Sequence, residues 1–315
     1  MRRIELGSAF LSTVPRVIFD AAIYKGSSVD KTPYRGSAVL FNDIRTSFGL
    51  SSREFSRAHL PETIRAVGRL FSRFDDLVDN SENSTEILTI KQAYQDEIAR
   101  TYNEQIVNSI TSTDVSEQTK QEMFDLIEGE VHLQYDLHSK YESSKTPLSS
   151  SDAFSWRKQA AGSLATLAPK LIATQLDIHG PMADESIDAS YWYGAIFQLT
   201  DDIGDIGIDL SRGTQSSFSS CLHEEPQELE QLRSLLMSTS SPSYKDIKRV
   251  APRSIGQMMT FWRVWYGRVS NDRIYPILHT LFNPENAEFT TNIWVRANKK
   301  ANIIRGITTK PSLHS

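Results

Sequence analysis

The chain has 315 residues, of which 39% are hydrophobic and 23% are charged, as is usual for a globular protein with a sizeable core. Its formal net charge of −5 argues against a nucleic-acid-binding protein and against attachment to an anionic membrane by charge. The single cysteine, Cys221, excludes an internal disulfide framework and is typical of a reducing compartment. No run approaches the roughly 20 apolar residues that span a bilayer, so we expect a soluble, cytoplasmic protein without an integral membrane segment.

Apolar residues recur at intervals of three and four along most of the chain, which predicts helices. The clearest example is 61–79, where Pro61 suits the first turn and Glu62 complements the helix dipole. Alternating strands with hairpin turns are not evident. Further helices are predicted at about 36–53, 86–108, 116–140, 152–178, 185–210, 254–282 and 288–304. Breaks are predicted at 25–36, 80–85, 143–151, 180–185, 211–227, 238–245 and 283–287.

None of these breaks is long enough to indicate a linker between domains, and no repeat of fixed period is present. We therefore predict a single all-α domain over residues 36–305. An N-terminal segment, 1–35, precedes it, and a flexible tail, 306–315, follows it.

A first cluster of acidic residues closes the 61–79 helix, with Asp75, Asp76 and Asp79 within five positions. Residues four apart share a helix face, so Asp75 and Asp79 point the same way. Three carboxylates this close repel one another unless a cation neutralises them. A solvated acidic helix end is the competing interpretation, because the polar segment NSENST follows at once.

A second cluster is more informative, because its carboxylates interrupt an apolar segment. Asp201, Asp205 and Asp209 are spaced four residues apart, which on a helix gives an acidic stripe about 12 Å long. Gly204 and Gly207 are poor helix formers, which suggests that something approaches the backbone closely here. The apolar neighbours are Phe197, Leu199, Ile203, Ile206 and Ile208.

Two aspartate clusters on separate helices favour a hard divalent cation that prefers oxygen ligands. Mg²⁺ held by few carboxylates completes its shell with substrate phosphate oxygens, so we expect about two or three Mg²⁺ ions beside a diphosphate. A di-iron bundle would need glutamates and Glu-x-x-His pairs, which neither cluster has. The spacing does not suit a calcium-binding hand, and the seven histidines lack the spacing of zinc ligands.

Three ordered parts of the chain resemble the squalene/phytoene synthase family. SFGLSSREFSRAHLPETIRAVGRLFSRFDDLVD (47–79) resembles its serine-rich segment and first aspartate motif. LIEGEVHLQYDL (126–137) and WRKQAAGSLA (156–165) are similar to its glycine-containing central helices. FQLTDDIGDIGIDLSRG (197–213) is similar to its second aspartate motif. The chain also resembles the humulene-type sesquiterpene cyclases of fungi, which share this ancestry.

The resemblance implies an all-α isoprenoid-synthase fold, with both motifs facing each other across a deep apolar cavity. It implies that Mg²⁺ and the substrate diphosphate are held by Asp75, Asp79, Asp201, Asp205 and Asp209. Asp75, Asp79, Asp205 and Asp209 are the expected catalytic residues of that set. The expected substrate-binding residues are Ser47, Phe48, Arg73, Trp156, Gln198 and Arg212.

The chain departs from the family where a second diphosphate would bind. Gly68 and Ser72 stand where the family has tyrosine and arginine, and Gly204 stands where it has arginine. Coupling two prenyl diphosphates needs charge neutralisation for both. We therefore expect ionisation and cyclisation of one prenyl diphosphate, most simply farnesyl diphosphate. Head-to-head coupling and a non-catalytic lipid-binding or scaffold protein are the alternatives. The sequence does not determine the oligomeric state.

Overall fold

The computed structural model describes residues 43–79, 96–142, 147–239, 242–269 and 274–292, and every regular element in these ranges is helical. The prediction of an all-α fold is confirmed. No helix in the described ranges is long and apolar enough to cross a membrane. The predicted segments 1–35 and 306–315 lie outside the described residues.

The α-helices are α1 (Ser52–Arg57), α2 (Leu60–Asp79), α3 (Glu97–Thr111), α4 (Glu117–Glu142), α5 (Ser150–Gln175), α6 (Pro181–Gly204), α7 (Ile206–Arg212), α8 (Ser217–Glu224), α9 (Pro226–Ser238), α10 (Tyr244–Val250), α11 (Pro252–Tyr266) and α12 (Pro276–Leu281), and a 3₁₀ helix covers Pro284–Asn286.

Most of the predicted helices are present, but the one predicted over 254–282 is wrong as a single element. Helix α11 ends at Tyr266 and is followed by Gly267, and α12 begins at Pro276. Proline fits the first turn of a helix and disfavours helical backbone at the residue before it, so Pro276 starts a new helix.

The break predicted over 211–227 is also wrong, because α8 lies inside it. A reciprocal capping box starts this helix: Ser219 N donates to Ser216 Oγ at 3.2 Å, and Ser216 N donates to Ser219 Oγ at 2.8 Å. The serines that suggested a loop are thus a helix cap and part of a buried helix.

Contacts divide the described chain into two compact units. The first comprises residues 43–79, 96–139, 166–190 and 274–278. The second comprises residues 140–142, 147–165, 191–239, 242–269 and 279–292.

In the first unit, α2 packs against α3 through apolar residues at helical spacing. Leu70 of α2 and Ile110 of α3 are fully buried, and each such side chain contributes about 2 kcal/mol of transfer free energy. Thr63 and Ser109 add a hydroxyl pair with oxygen atoms 2.6 Å apart. Other buried apolar residues of the two helices are Leu60, Ile64, Val67, Phe71, Ala99, Tyr102 and Ile106.

In the second unit, aromatic side chains form much of the core around α11. Phe154 stacks on Phe261 with ring centroids 3.8 Å apart, and Trp265 meets Phe154 edge-on at 6.1 Å. Trp262 is fully buried, and its indole N–H donates to the Phe282 carbonyl at 2.7 Å. Buried indole groups need such an acceptor, so this bond fixes the ring orientation.

Helices α5 and α6 approach each other closely within the second unit, because Gly194 has no side chain. A Cβ at Gly194 would lie 2.5 Å from both the Ala161 carbonyl oxygen and the Ala165 Cβ. Gly162 likewise lies under the ring of Tyr191, 2.7 Å from where its Cβ would be. This close packing holds the N-terminal half of α5 next to the C-terminal half of α6, where the acidic residues lie.

Candidate functional site

The second acidic cluster lies at the junction of α6 and α7. Asp205 separates the two helices with φ −100° and ψ 5°, so the predicted continuous helix 185–210 is wrong at this residue. The helical hydrogen bonds nevertheless continue: Asp205 N donates to Asp201 O at 2.8 Å, and Asp209 N donates to Asp205 O at 3.0 Å. The four-residue spacing therefore survives the break, and all three aspartates are partly exposed.

Asp202, next to this row, is a buried anchor whose side chain is only 2% exposed. Its Oδ1 accepts a hydrogen bond from Gln198 Nε2 at 2.8 Å, and its Oδ2 accepts one from Ser217 N at 2.8 Å. Ser217 is the first residue of α8, so the carboxylate satisfies a backbone N–H at a helix N-terminus and complements the helix dipole. Asp202 thereby ties α6 to α8.

Arg157 of α5 brings a positive charge to the same place. Its Nε lies 3.8 Å from Asp202 Oδ1, and its Nη2 donates to the Gln215 carbonyl at 2.9 Å. The guanidinium carbon lies 4.4 Å from the centre of the Trp156 ring, which is a cation–π arrangement. The sequence alone predicts a role for neither Arg157 nor Asp202. Long-range contacts of this kind leave no local pattern in a sequence.

The electrostatic environment of Asp209 is unusual. Desolvation raises the pKa of its carboxyl well above the ordinary value of 3.8, and the charges of Asp202 and Asp205 raise it further. Arg157 and the Ser216 hydroxyl act in the opposite direction. The side chain of Asp209 nevertheless keeps some exposure to solvent. A cation at this carboxyl would relieve the repulsion among the aspartates.

The aspartates of this row fit Mg²⁺ when a phosphorylated ligand completes the coordination shell of the ion. Within the described part of the chain, no three acidic, histidine or cysteine side chains converge into a preformed metal cluster. Mg²⁺ commonly takes only one or two protein carboxylates and completes its shell with water and phosphate oxygens. The oxygen-only donors Asp201, Asp205 and Asp209 therefore fit Mg²⁺ that is shared with a phosphorylated ligand.

Two other predicted residues of the second unit contact Asp202 or Arg157. Gln198 donates to Asp202, as described above. Trp156 is buried, stacks on Tyr141 with centroids 5.6 Å apart and carries the Arg157 guanidinium on its face. Arg212 is the last residue of α7, but its side chain lies outside the described part of the chain.

Two predicted substrate residues, Ser47 and Phe48, belong to the first unit. Ser47 is part of a network of hydroxyl groups, and Phe48 is part of the core. Ser47 Oγ donates to the Ile44 carbonyl at 2.7 Å and lies 3.0 Å from Ser186 Oγ. Ser186 Oγ lies 2.7 Å from the Tyr275 hydroxyl, and burial raises the pKa of that tyrosine. Phe48 is buried. Both residues therefore have a structural role in the first unit. Their role in substrate binding stays a prediction.

Arg73 is bound by two hydrogen bonds to Asp96, at 2.9 Å from Nε to Oδ1 and 2.7 Å from Nη2 to Oδ2. Asp96 also caps α3 by accepting from Ile98 N and Ala99 N. The Arg73 bonds lower the pKa of Asp96 to about 2. Asp75 and Asp79 lie in the last turns of α2, as predicted, but their side chains are outside the described residues.

Comparisons of the chain with protein-family models, with curated proteins and with solved structures find no match. The class of the protein is therefore inferred from its motifs and from the acidic junction of α6 and α7.

Proposed function

We propose that the chain is a class I terpene cyclase that ionises an allylic prenyl diphosphate, most simply farnesyl diphosphate, in a Mg²⁺-dependent reaction. The allylic cation then cyclises to a sesquiterpene, and diphosphate is released. The observation that carries the proposal is the row of partly exposed aspartates at the α6–α7 junction. Its member Asp209 is under like-charge repulsion that a cation would relieve.

In this proposal Asp201, Asp205 and Asp209 hold Mg²⁺ in the second unit, and the family resemblance assigns Asp75 and Asp79 to the same task. The bound metal supplies Lewis acidity, which stabilises the negative charge that develops on the leaving diphosphate. Carboxylates suit this task because Mg²⁺ prefers oxygen ligands. No protein nucleophile is needed.

The proposed reaction also needs an apolar cavity that folds the prenyl chain and excludes water from the cation. The departing diphosphate is the proposed base for the final loss of a proton. Aromatic faces stabilise a nearby cation, and the second unit is rich in them. The partly exposed Phe197, one helical turn before Asp201, is the aromatic side chain that we propose to face the substrate.

The proposal is tested by following diphosphate release and hydrocarbon formation from farnesyl diphosphate in the presence of Mg²⁺. Asp209→Asn keeps the size of the side chain but removes its charge, so we expect a loss of activity of about 100-fold or more. Asp188→Asn is the matched control, because Asp188 is an exposed aspartate on the same helix, α6. Its activity should equal that of the wild type.

Two outcomes would replace the proposal with another function. A product of C30 or C40 would assign the chain to head-to-head coupling of two prenyl diphosphates. The reaction could instead yield neither hydrocarbon nor diphosphate, while Asp209→Asn binds ligand like the wild type. That outcome would favour a non-catalytic lipid-binding or scaffold protein.

A further inference from the structure

A cavity of about 390 Å³ lies between α3 and α4 in the first unit. Its volume is within the range of roughly 300–1,000 Å³ that small-molecule sites occupy. The residues that line it recur at intervals of three and four along each helix, so each helix presents one face to the cavity. None of them belongs to the metal or substrate sites that the sequence predicts.

The inner surface of the cavity is apolar. Three of its four apolar side chains are buried, and the fourth, Phe124, is partly exposed and offers its ring to a molecule in the cavity. Removal of apolar surface from water is favourable in proportion to its area, so this surface favours a hydrocarbon chain or an aromatic ring. The buried members are Ile106 of α3 and Ile127 and Val131 of α4.

Two side chains on the α3 side of the cavity carry hydrogen-bond donors. Arg100 is exposed, and Asn103, one helical turn further on, is partly exposed. Neither side chain makes a hydrogen bond or an ion pair with the part of the chain that the structure describes. A guanidinium and a primary amide together present N–H groups that match the two oxygens of a carboxylate. The α3 side of the cavity therefore suits the carboxylate of an otherwise apolar molecule.

The α4 side of the cavity carries the opposite charge. Glu128 lines the cavity, and its Oε1 lies 3.8 Å from His132 Nε2, which is too far for a hydrogen bond. Within the described ranges, Glu128 forms no ion pair with Arg100. One arginine opposite one glutamate does not balance the charge of a phosphate group, which approaches −2, whereas a carboxylate brings a single charge. Glu128 also repels the carboxylate from α4 and so favours its position against α3.

We propose that this cavity binds a small amphipathic carboxylate. The apolar body of the ligand lies on Ile106, Phe124, Ile127 and Val131, and its carboxylate accepts hydrogen bonds from Arg100 and Asn103. The site is independent of the proposed cyclase reaction, because none of its residues takes part in that reaction.

Isothermal titration calorimetry of the full chain with sodium octanoate, in the absence of Mg²⁺, tests the site. We expect octanoate to bind, and Arg100→Met to weaken its binding by about tenfold or more, because a charge-assisted contact is lost. Arg100→Lys, which keeps the charge but loses the planar fork, should show a smaller loss. Asn103→Phe, which removes the amide and places a ring at the edge of the cavity, should weaken binding at least as much as Arg100→Met. Arg65→Met is the matched control, because Arg65 is an exposed arginine on α2 of the same unit that does not line the cavity, and it should bind octanoate like the wild type.

Two further eight-carbon ligands separate the carboxylate from other head groups. Octylamine reverses the charge and octyl phosphate increases it, so each should bind about tenfold or more weakly than octanoate. The proposal is overturned if octanoate does not bind, or if either of these ligands binds as tightly. It is also overturned if Arg100→Met and Asn103→Phe, shown by circular dichroism to be folded, bind octanoate like the wild type, since the ligand then occupies another part of the protein. A wild type that makes a C15 hydrocarbon but does not bind octanoate would refute this site and leave the proposed function intact.

Discussion

The two units use the same three parts in different ways: an arginine, an aspartate and a helix N-terminus. In the first unit, Asp96 accepts two hydrogen bonds from Arg73 and also caps α3. In the second, Asp202 accepts a hydrogen bond from Ser217 N at the N-terminus of α8, and Arg157 Nε lies 3.8 Å from its Oδ1. The Arg157 guanidinium also donates to the Gln215 carbonyl. The first arrangement joins its two charges through a pair of hydrogen bonds, whereas in the second the charge of Arg157 also acts on Asp209 and opposes the rise in the pKa of that carboxyl.

This difference separates an element of stability from a candidate element of function. An arginine bound through two hydrogen bonds to its aspartate is held by its own partner and serves folding. Arg157 instead lies among the acidic residues of the α6–α7 junction, where its charge acts on Asp209. Three variants test whether the contrast is real, beginning with the largest expected effect.

Asp202→Ala should be the most destabilising of these changes, by about 3 kcal/mol or more, because it leaves Ser217 N without its acceptor and removes a buried carboxylate that pairs with Arg157. Urea denaturation followed by circular dichroism measures the loss. Asp202→Asn, whose amide oxygen still accepts from Ser217 N, should lose less. A cost for Asp202→Ala no greater than that of the exposed Asp188→Ala would contradict the anchoring role.

Asp96→Ala should cost about 1–2 kcal/mol, because it removes a helix cap and a partly exposed ion pair that solvent screens. The pH dependence has a definite sign. The folded pKa of Asp96, about 2, lies below its ordinary value of 3.8, so the pair contributes fully above pH 3.8. This contribution is lost as the pH falls toward 2, and the wild type and the variant should then converge in stability. A difference that is constant across this range would exclude the ion pair as its source.

Asp209→Asn should have the smallest effect and the opposite sign, raising the melting temperature at neutral pH by about 2 °C in the absence of Mg²⁺. A carboxyl whose folded pKa is raised costs stability when it ionises, so stability falls as the pH rises above 3.8 toward the raised pKa. The gain should disappear below pH 3.8, where the carboxyl is protonated in both states. Added Mg²⁺ should stabilise the wild type more than the variant, and equal stabilisation would remove Asp209 from the metal site.

The sequence predicted the helical class well, because the apolar period of three to four residues is local and repeated many times. Helix α2 shows this clearly: its predicted start differs by one residue from the observed Leu60. Sequence patterns gave a wrong prediction where one pattern indicated a turn and another indicated a helix. The serines around α8 indicate a turn by composition, but Ser216 and Ser219 cap one another and burial stabilises the helix.

The candidate site was predictable only in part. The spacing of Asp201, Asp205 and Asp209 was evident, and so were the glycines beside the break at Asp205. Arg157 and Asp202 were not predicted, because their roles depend on contacts with Gln215 and Ser217, which are 58 and 15 residues away in the sequence. A single sequence carries no signal that links such positions.

The mass of the product is the most direct test of whether the protein cyclises one prenyl diphosphate with Mg²⁺. Purified protein is incubated with farnesyl diphosphate and Mg²⁺, and the organic extract is analysed by gas chromatography and mass spectrometry. We expect a cyclic C15 hydrocarbon that is absent when a chelator removes the metal. A C30 product, or no product while the folded protein binds Mg²⁺, would contradict it.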